Sequence, residues 1–246
     1  MRPWTGSRYW LVGASEGLGR ALAFQLSRAG AEVIASARSE ERLQALVEEL
    51  PGPASYQVVD VSDRASVEAA AAAIGKIDGM VYLAGVYWPM ASQDWDAGQN
   101  EMMADINYTG AVRSVGAVLP AMVERDAGHI VLTGSLSGFR GLPGAAGYGS
   151  SKAAVMYLAE ALYADLRGSG VEVQVVNPGF IKTRLTDKND FSMPFIMAPE
   201  DAARAMFEAM SARGFKRSFP GLFSLLFRGS QFLPDFLYYR LFSKAA

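Results

Sequence analysis

Tyr148 and Lys152 stand four residues apart, with Ser135 thirteen positions upstream. On a helix that spacing puts two side chains on one face, because 3.6 residues make a turn. The sequence reads as such a helix from Tyr148 to about Leu166, and Gly168 and Gly170 supply its stop. An ammonium held about 4 Å from a phenol favours the phenolate by roughly 4 kcal/mol at an effective dielectric of about 20, which is an upper bound. A tyrosine that ordinarily titrates near 10 is thereby drawn toward neutrality. Tyr148 is a candidate general acid or base, with Lys152 as its modulator and Ser135 as a neighbouring hydroxyl. The spacing is also common on solvated helices, so the chemistry rests on what the other elements bring to it.

The first such element begins almost at once. Tyr9-Trp10-Leu11-Val12 is a short apolar run that ends at Gly13-Ala14-Ser15-Glu16-Gly17-Leu18-Gly19. A helical pattern then continues through Leu22, Leu26 and Ala29 to a stop at Gly30. A strand, a glycine-rich turn and a helix N-terminus together make an anion site: glycines let the backbone approach, and free N–H groups face a phosphate. The placement between strand and helix gives the glycine spacing its meaning.

Strands and helices then alternate. Glu32–Ser36, Ser55–Val59 and Ile77–Leu83 read as strands, with helices over Glu40–Leu50 and through Val67 and Ile74 between them. A long helical stretch runs from Ala97 to Glu124 with Asn107 inside it, where an asparagine is disfavoured and calls for a reason. Ile130–Thr133 is a strand that delivers Ser135, and Val171–Val176 is another, ending in Asn177-Pro178-Gly179. The alternation predicts an α/β, three-layer, doubly wound Rossmann fold: a central parallel sheet with helices on both faces, in one domain over 1–246. His129, at the entrance of its strand, reads as structural.

The end of the second strand bears on cofactor choice. An acidic residue there bonds ribose hydroxyls, whereas a basic one suits a 2′-phosphate. This chain has Ala37-Arg38 and no carboxylate before Glu40, so Arg38 favours NADP over NAD, against the negative charge of Glu16 in the glycine loop. Ala84-Gly85 closes the fourth strand and lets the chain pass close to a cofactor.

Composition excludes several chemistries. With no cysteine there are no disulfides, thiolates or cysteine metal sites, and a single histidine leaves nothing for a histidine-rich metal site or a Ser-His triad. A net charge of −2 gives no electrostatic case for nucleic acid. Without room for a signal peptide or an apolar run of about 18 residues, the expectation is a cytoplasmic protein.

Two C-terminal segments stand apart. Residues 184–197 follow Ile181-Lys182-Thr183; the irregular part, from Lys188, holds Asp190, Phe191, Met193, Pro194 and Phe195 and reads as a substrate lid. A helix starting at Pro199 and ended by Gly214 follows. The tail, 215–246, is apolar and aromatic with basic flanks; it reads either as a subunit interface or pocket cover, or as an interfacial membrane element.

Taken jointly, Gly13, Gly17 and Gly19, Asn107, Ser135, and Tyr148 with Lys152 make the chain resemble the compact short-chain dehydrogenases/reductases, from about Tyr9 to Gly214. The resemblance implies Tyr148 as proton donor or acceptor and Ser135 as hydrogen-bond partner of the substrate oxygen. It implies Lys152 lowering the tyrosine pKa and holding the nicotinamide ribose, and Asn107 keeping a water in a proton relay. It puts Asp60 and Val61 at the adenine and Pro178, Gly179, Ile181 and Thr183 on the nicotinamide side. It also implies a dimer or tetramer. Two positions depart from the family pattern: Val12 where a threonine is usual, and Leu83-Ala84-Gly85 where Asn-Ala-Gly is usual. The activity implied is hydride exchange between nicotinamide and a carbonyl compound or secondary alcohol, with a hydrophobic substrate suggested by the lid and tail. A catalytically silent dinucleotide-binding regulator on the same fold is the alternative, and a sugar-nucleotide epimerase of the extended type a weaker rival.

Overall fold

The computed structural model describes residues 2–188, 192–212 and 214–242. Its centre is a seven-stranded sheet with the order β3-β2-β1-β4-β5-β6-β7, every neighbouring pair parallel. The strands are β1 (Arg8–Val12), β2 (Glu32–Ala37), β3 (Ala54–Val58), β4 (Gly79–Tyr82), β5 (Gly128–Thr133), β6 (Val171–Pro178) and β7 (Lys216–Phe219). Alternate residues of each central strand enter opposite cores, as a period of two requires. Trp10, Val12, Met80, Tyr82, Ile130 and Leu132 pack on one face beneath α3 (Arg64–Ile74), α5 (Gly110–Glu124) and α6 (Ala146–Asp165). Tyr9, Leu11, Val33, Val81, Val131 and Val176 pack on the other, beneath α1 (Gly17–Arg28), α2 (Glu40–Glu49) and α7 (Pro199–Ser211). Helices on both faces explain why the strands read as unbroken apolar runs rather than as alternations. The chain winds β1-β2-β3 in one direction and resumes on the far side of β1 with β4. That switch opens a crevice at the carboxyl ends of β1 and β4, where open α/β sheets take their ligands.

Three elements differ from the expectation. The long helix over Ala97–Glu124 is α4 (Ala97–Ala104), a π turn over Asp105–Thr109, and α5. Asn107 lies in that π turn, which gives the misplaced asparagine its reason, since single π turns occur where a helix must carry something its regular ladder does not allow. The second difference is β7: the tail expected from Phe215 begins as a sheet-edge strand, because Lys216–Phe219 pairs with Val175–Pro178. Its charged Lys216 and Arg217 suit an edge and mask it from any apolar pattern. Only α8 (Gly221–Ser230) and α9 (Asp235–Phe242) form the helical tail. Third, the segment 184–197 is pinned at its base, where Ile181 bridges Met197. Asp190 and Phe191 of the expected lid, and 243–246 of the tail, lie outside the described residues. Among the described residues no helix is long and apolar enough to cross a membrane.

His129 is fully buried in a polar chain at the opposite ends of the strands. Its Nε2 is 2.9 Å from Gln174 Oε1 and its Nδ1 2.8 Å from the Tyr9 hydroxyl. The Gln174 amide nitrogen donates to the carbonyls of Ala209, Ala212 and Gly214, so its oxygen must accept, Nε2 carries the proton and Tyr9 donates to Nδ1. Burial pushes the imidazole down to about 3. Below its unfolded value near 6.5, the unfolded chain takes up a proton that the folded one refuses, so stability is complete above that pH and is lost as pH falls. The loss is at most about 1.4 kcal/mol per pH unit, or about 2 kcal/mol between pH 6.5 and 5. Urea unfolding of His129→Gln should show a shallower decline over this window than the unaltered chain; equal slopes would contradict the assignment.

Candidate functional site

At the end of β1 the glycine turn is built on three different constraints. Gly13 has φ +98, and a Cβ there would stand 2.4 Å from the Ala84 nitrogen. Gly19, in the first turn of α1, has no room either: its Cβ would meet the Gly13 carbonyl oxygen at 2.1 Å. Gly17, with φ +54, faces the Thr183 methyl, which a Cβ would approach to 2.9 Å. Glu16 is the N-cap residue of α1 but makes no side-chain cap, so the first-turn N–H groups are not covered by it. A glycine turn opening onto a helix N-terminus has the form of an anion cradle, and side chains at its glycines would fill it. Ser15 lies in the same turn, and Leu18 packs inward against the α1–α2 core. Where the usual asparagine is replaced by Leu83, backbone bonds tie the turn together: Leu83 N–H and Ala84 N–H both donate to Val12 O, at 2.8 and 2.9 Å.

Glu16 does not present a bare charge to this cradle. Its carboxylate is shared by the guanidiniums of Arg42, at 2.8 Å, and Arg184, at 2.9 Å. Arg184 opens the 184–197 segment, so this pair ties that segment to the glycine turn. Arg38, just past β2, is exposed and makes no hydrogen bond or ion pair with a described residue. Beyond β3, the Asp60 carboxylate is held below its usual range, chiefly by the Ser62 hydroxyl at 2.6 Å and also by the nearby Arg38 and Arg113 charges. Val61 follows it, buried, with its carbonyl bonded by Arg113 at 3.0 Å. Arg38, Asp60 and Val61 therefore lie on the β2–β3 side of the turn, and Tyr148 and its neighbours on the β4–β6 side.

On that second side Ser135 follows β5. Its Oγ accepts from the Ser137 hydroxyl at 2.9 Å and the Ser137 N–H at 3.2 Å, and its side chain lies close enough to Tyr148 to influence it. Burial pushes the Tyr148 hydroxyl up to about 12; Ser135 works the other way, and neighbouring Tyr87 adds to the rise. Tyr87 meets the Tyr148 ring edge-on, with centroids 5.0 Å apart. Lys152 is only 4% exposed and donates to the Thr133 carbonyl at 2.9 Å, with Nζ 5.7 Å from the Tyr148 ring centroid. Burial lowers it to about 8. Burial at Tyr148 opposes the expected pull of an ammonium on the phenol. Lys152, anchored on the Thr133 carbonyl, is not among the groups that move Tyr148.

Asn107 is buried within hydrogen-bonding reach of three groups. Its Oδ1 accepts from Val86 N–H at 2.7 Å, and its Nδ2 donates to Val86 O and to Ser151 Oγ, both at 3.0 Å. It thereby clamps the chain just after Ala84-Gly85, and a Cβ on Gly85 would stand 3.3 Å from Asn107 Oδ1 and 3.7 Å from Lys152 Nζ. Pro178 and Gly179 end β6 against Phe219, and Gly179 N–H donates to Phe219 O at 2.8 Å. Thr183 N–H donates to Thr186 Oγ1 at 3.0 Å, which helps hold the Thr183 methyl over Gly17.

Sequence reasoning missed Ser137, Tyr87, Arg42 and Arg184. Ser137 and Tyr87 sit beside predicted residues in a Gly-rich loop and after a strand, where no spacing marks them. The two arginines meet Glu16 across 26 and 168 residues, which no local pattern encodes. Taken together, the crevice offers at one point a glycine turn and helix N-terminus of a form that suits an anion. Further along it offers two hydroxyls and a buried cation, able to move a proton at an oxygen and stabilise charge developing there.

The family model for short chain dehydrogenases matches residues 9–192. An uncharacterized oxidoreductase of Myxococcus xanthus is 38% identical over 235 residues, covering 93% of both chains. Among solved structures, the closed form of a serine dehydrogenase complexed with NADP+ superposes with a TM-score of 0.79 at 28% identity, over 86% of this chain and 94% of that one. A short chain dehydrogenase/reductase of Burkholderia phymatum in complex with NAD superposes with a TM-score of 0.84 at 26% identity, over 93% and 94%. The model's match takes in the glycine turn, Asn107, Ser135, Tyr148 and Lys152, all in the crevice described above; the chain belongs to the short-chain dehydrogenase family of oxidoreductases.

Proposed function

We propose that the protein is an NADP-dependent oxidoreductase exchanging a hydride between nicotinamide and the carbonyl or secondary alcohol of a hydrophobic substrate, with Tyr148 as the acid/base. The observation that carries this reading is the placing of Tyr148 beside buried Lys152, whose Nζ lies 5.7 Å from the Tyr148 ring centroid, and near Ser135, at the strand ends that also hold the glycine turn. When bound, the nicotinamide supplies the hydride chemistry. The chain's part is to hold it and to handle the proton. In this reading the turn from Gly13 through Ser15, Glu16, Gly17, Leu18 and Gly19 takes the pyrophosphate, Arg38 the 2′-phosphate, and Asp60 and Val61 the adenine. Ala84 and Gly85 give backbone close to the cofactor, Lys152 holds the ribose, and Pro178, Gly179, Ile181 and Thr183 border the nicotinamide. Tyr148 gives its proton to the substrate oxygen on reduction and takes it back on oxidation, while Ser135 hydrogen-bonds that oxygen. Asn107 serves the relay from Lys152, held in place by Val86 and Ser151.

The hydrophobic substrate is supported by the aromatic rings around the crevice: Tyr87 on Tyr148, and Phe180 and Phe195 against Phe223 of α8. Residues 184–197 act as its lid. Exposed apolar side chains on α5 and α6, Val112, Val123 and Tyr157 among them, support a homodimer or homotetramer. A peripheral membrane contact through the tail belongs to the same reading.

Tyr148→Phe should lower kcat by at least about a hundredfold, the scale of a lost proton donor, while NADPH binding followed by fluorescence is retained. Undiminished reduction across a panel of medium- and long-chain aldehydes, ketones and steroids would overturn the role of Tyr148. Arg38→Asp should shift the ratio of kcat/KM for NADPH over NADH by at least about tenfold toward NADH, through loss of the phosphate partner and repulsion by the new carboxylate. An unchanged ratio would remove Arg38 as the discriminator.

A further inference from the structure

The C-terminal helices are apolar toward water as well as toward the core. In α8, Phe223, Ser224 and Ser230 are buried, whereas Leu222, Leu225 and Leu226 face outward on one stripe at i, i+3 and i+4. The exposed series continues through Phe232 before α9 and Phe236 and Tyr239 within it, and Leu222, Phe232 and Phe236 are 78%, 89% and 78% exposed. A helix on a water-facing surface carries polar residues on that side, and large apolar side chains on successive turns mark a contact surface.

Charge narrows the partner. Residues 214–242 hold Lys216, Arg217, Arg228 and Arg240 against one acid, Asp235, in a chain whose net charge is −2. Asp235 is itself paired with Arg140 at 2.5 Å, and Lys216 with Glu160. Arg217, Arg228 and Arg240 are exposed. A second copy packed across these helices would set like charges against each other, whereas an anionic surface uses the apolar stripe and the arginines at once. The helices span ten and eight residues, too short to cross a bilayer but suited to lying in its interface.

The face is also joined to the candidate site. Phe223 of α8 stacks near Phe195, 5.4 Å between centroids, and Phe195 and Ile196 of the segment 184–197 are exposed beside it. Arg140, in the loop after Ser135, donates to the carbonyls of Ser230 and Leu233 at 2.6 and 2.7 Å and lies 3.9 Å from the Tyr238 ring centroid. The Tyr238 hydroxyl returns a bond to Gly141 O at 2.8 Å. The tail is thus fastened to the loop that positions Ser135.

We propose that α8 and α9, with Phe195 and Ile196 of the neighbouring segment, seat the protein on the surface of a bilayer rich in anionic lipid, so that the crevice over Tyr148 receives a carbonyl compound from the lipid phase. The seating stands on the surface itself; the delivery rests on the oxidoreductase reading.

Co-sedimentation of the full chain with phosphatidylcholine vesicles, pure or containing about a quarter phosphatidylglycerol, tests it. The comparison includes Leu225→Glu/Leu226→Glu and Arg228→Glu/Arg240→Glu, whose sites are exposed, with melting temperature and NADPH fluorescence as folding controls. The expected result is at least about tenfold stronger partition onto the anionic vesicles, lost in both variants. Equal pelleting on both vesicle types, or by all three proteins, overturns the proposal. So does light scattering that shows a dimer broken by the leucine variant in a chain that binds no vesicle, because a second copy then covers the face. Binding is read without turnover: carbonyl reduction with no vesicle binding sinks only the seating, and binding without reduction sinks only the oxidoreductase reading.

Discussion

A lysine ammonium closed off from water is costly unless hydrogen bonds replace what it has lost. Lys152 is such a cation, with the Thr133 carbonyl as its anchor, and much of the crevice is arranged around the space it needs. Thr133 is the last residue of β5, so the sheet itself fixes the anchor. Beside it a Cβ on Gly85 would press on Asn107 Oδ1 at 3.3 Å, and just past the anchor a Cβ on Gly134 would stand 2.1 Å from Asn177 Oδ1. Asn107 holds the neighbouring strand end by both amide groups, and the π turn brings it there. Burial lowers Lys152 to about 8 and raises Tyr148 to about 12, driving apart two values that ordinarily lie close to each other. A pair so placed is sensitive to any added charge or hydrogen bond, which is the property an acid/base pair requires.

The parts of this arrangement encoded within a few residues were legible in the sequence. Tyr148 and Lys152 share a helix, the three glycines share a turn, and the apolar strand runs follow directly from burial on both faces. Asn107 was visible as an anomaly, though its π turn was not, because helix type depends on what the turn must reach. The remainder is made of long-range meetings. Glu16 looked like an obstacle to a phosphate until Arg42 and Arg184 were seen to share its charge. The strand β7 was hidden by its own edge chemistry, since two basic residues carry no apolar period. His129 was readable as structural, whereas its partners Tyr9 and Gln174 come from other strands.

The same logic orders the molecule beyond the crevice. Arg184 ties the segment 184–197 to the glycine turn at one end, and Phe195 leans on α8 near the other. Arg140 ties α8 and α9 to the loop after Ser135. The proposed cofactor cradle, lid and tail are therefore connected by named contacts, and each contact pairs a charge with a carboxylate or carbonyl, or ring with ring. Local sequence sets the elements; these few long-range ties set how the elements meet.

The central claim is that Tyr148 and Lys152 act as one proton-handling pair once a dinucleotide lies in the crevice. Its most direct measurement is a titration of Tyr148 by NMR of protein labelled with 13C at the tyrosine ring carbon bearing the hydroxyl, with and without NADP+. The account predicts a value near 12 in the free protein that falls below the ordinary tyrosine value of about 10 with cofactor bound, and a fall that disappears in Lys152→Met. A Tyr148 value that stays near 12 in the cofactor complex would contradict it.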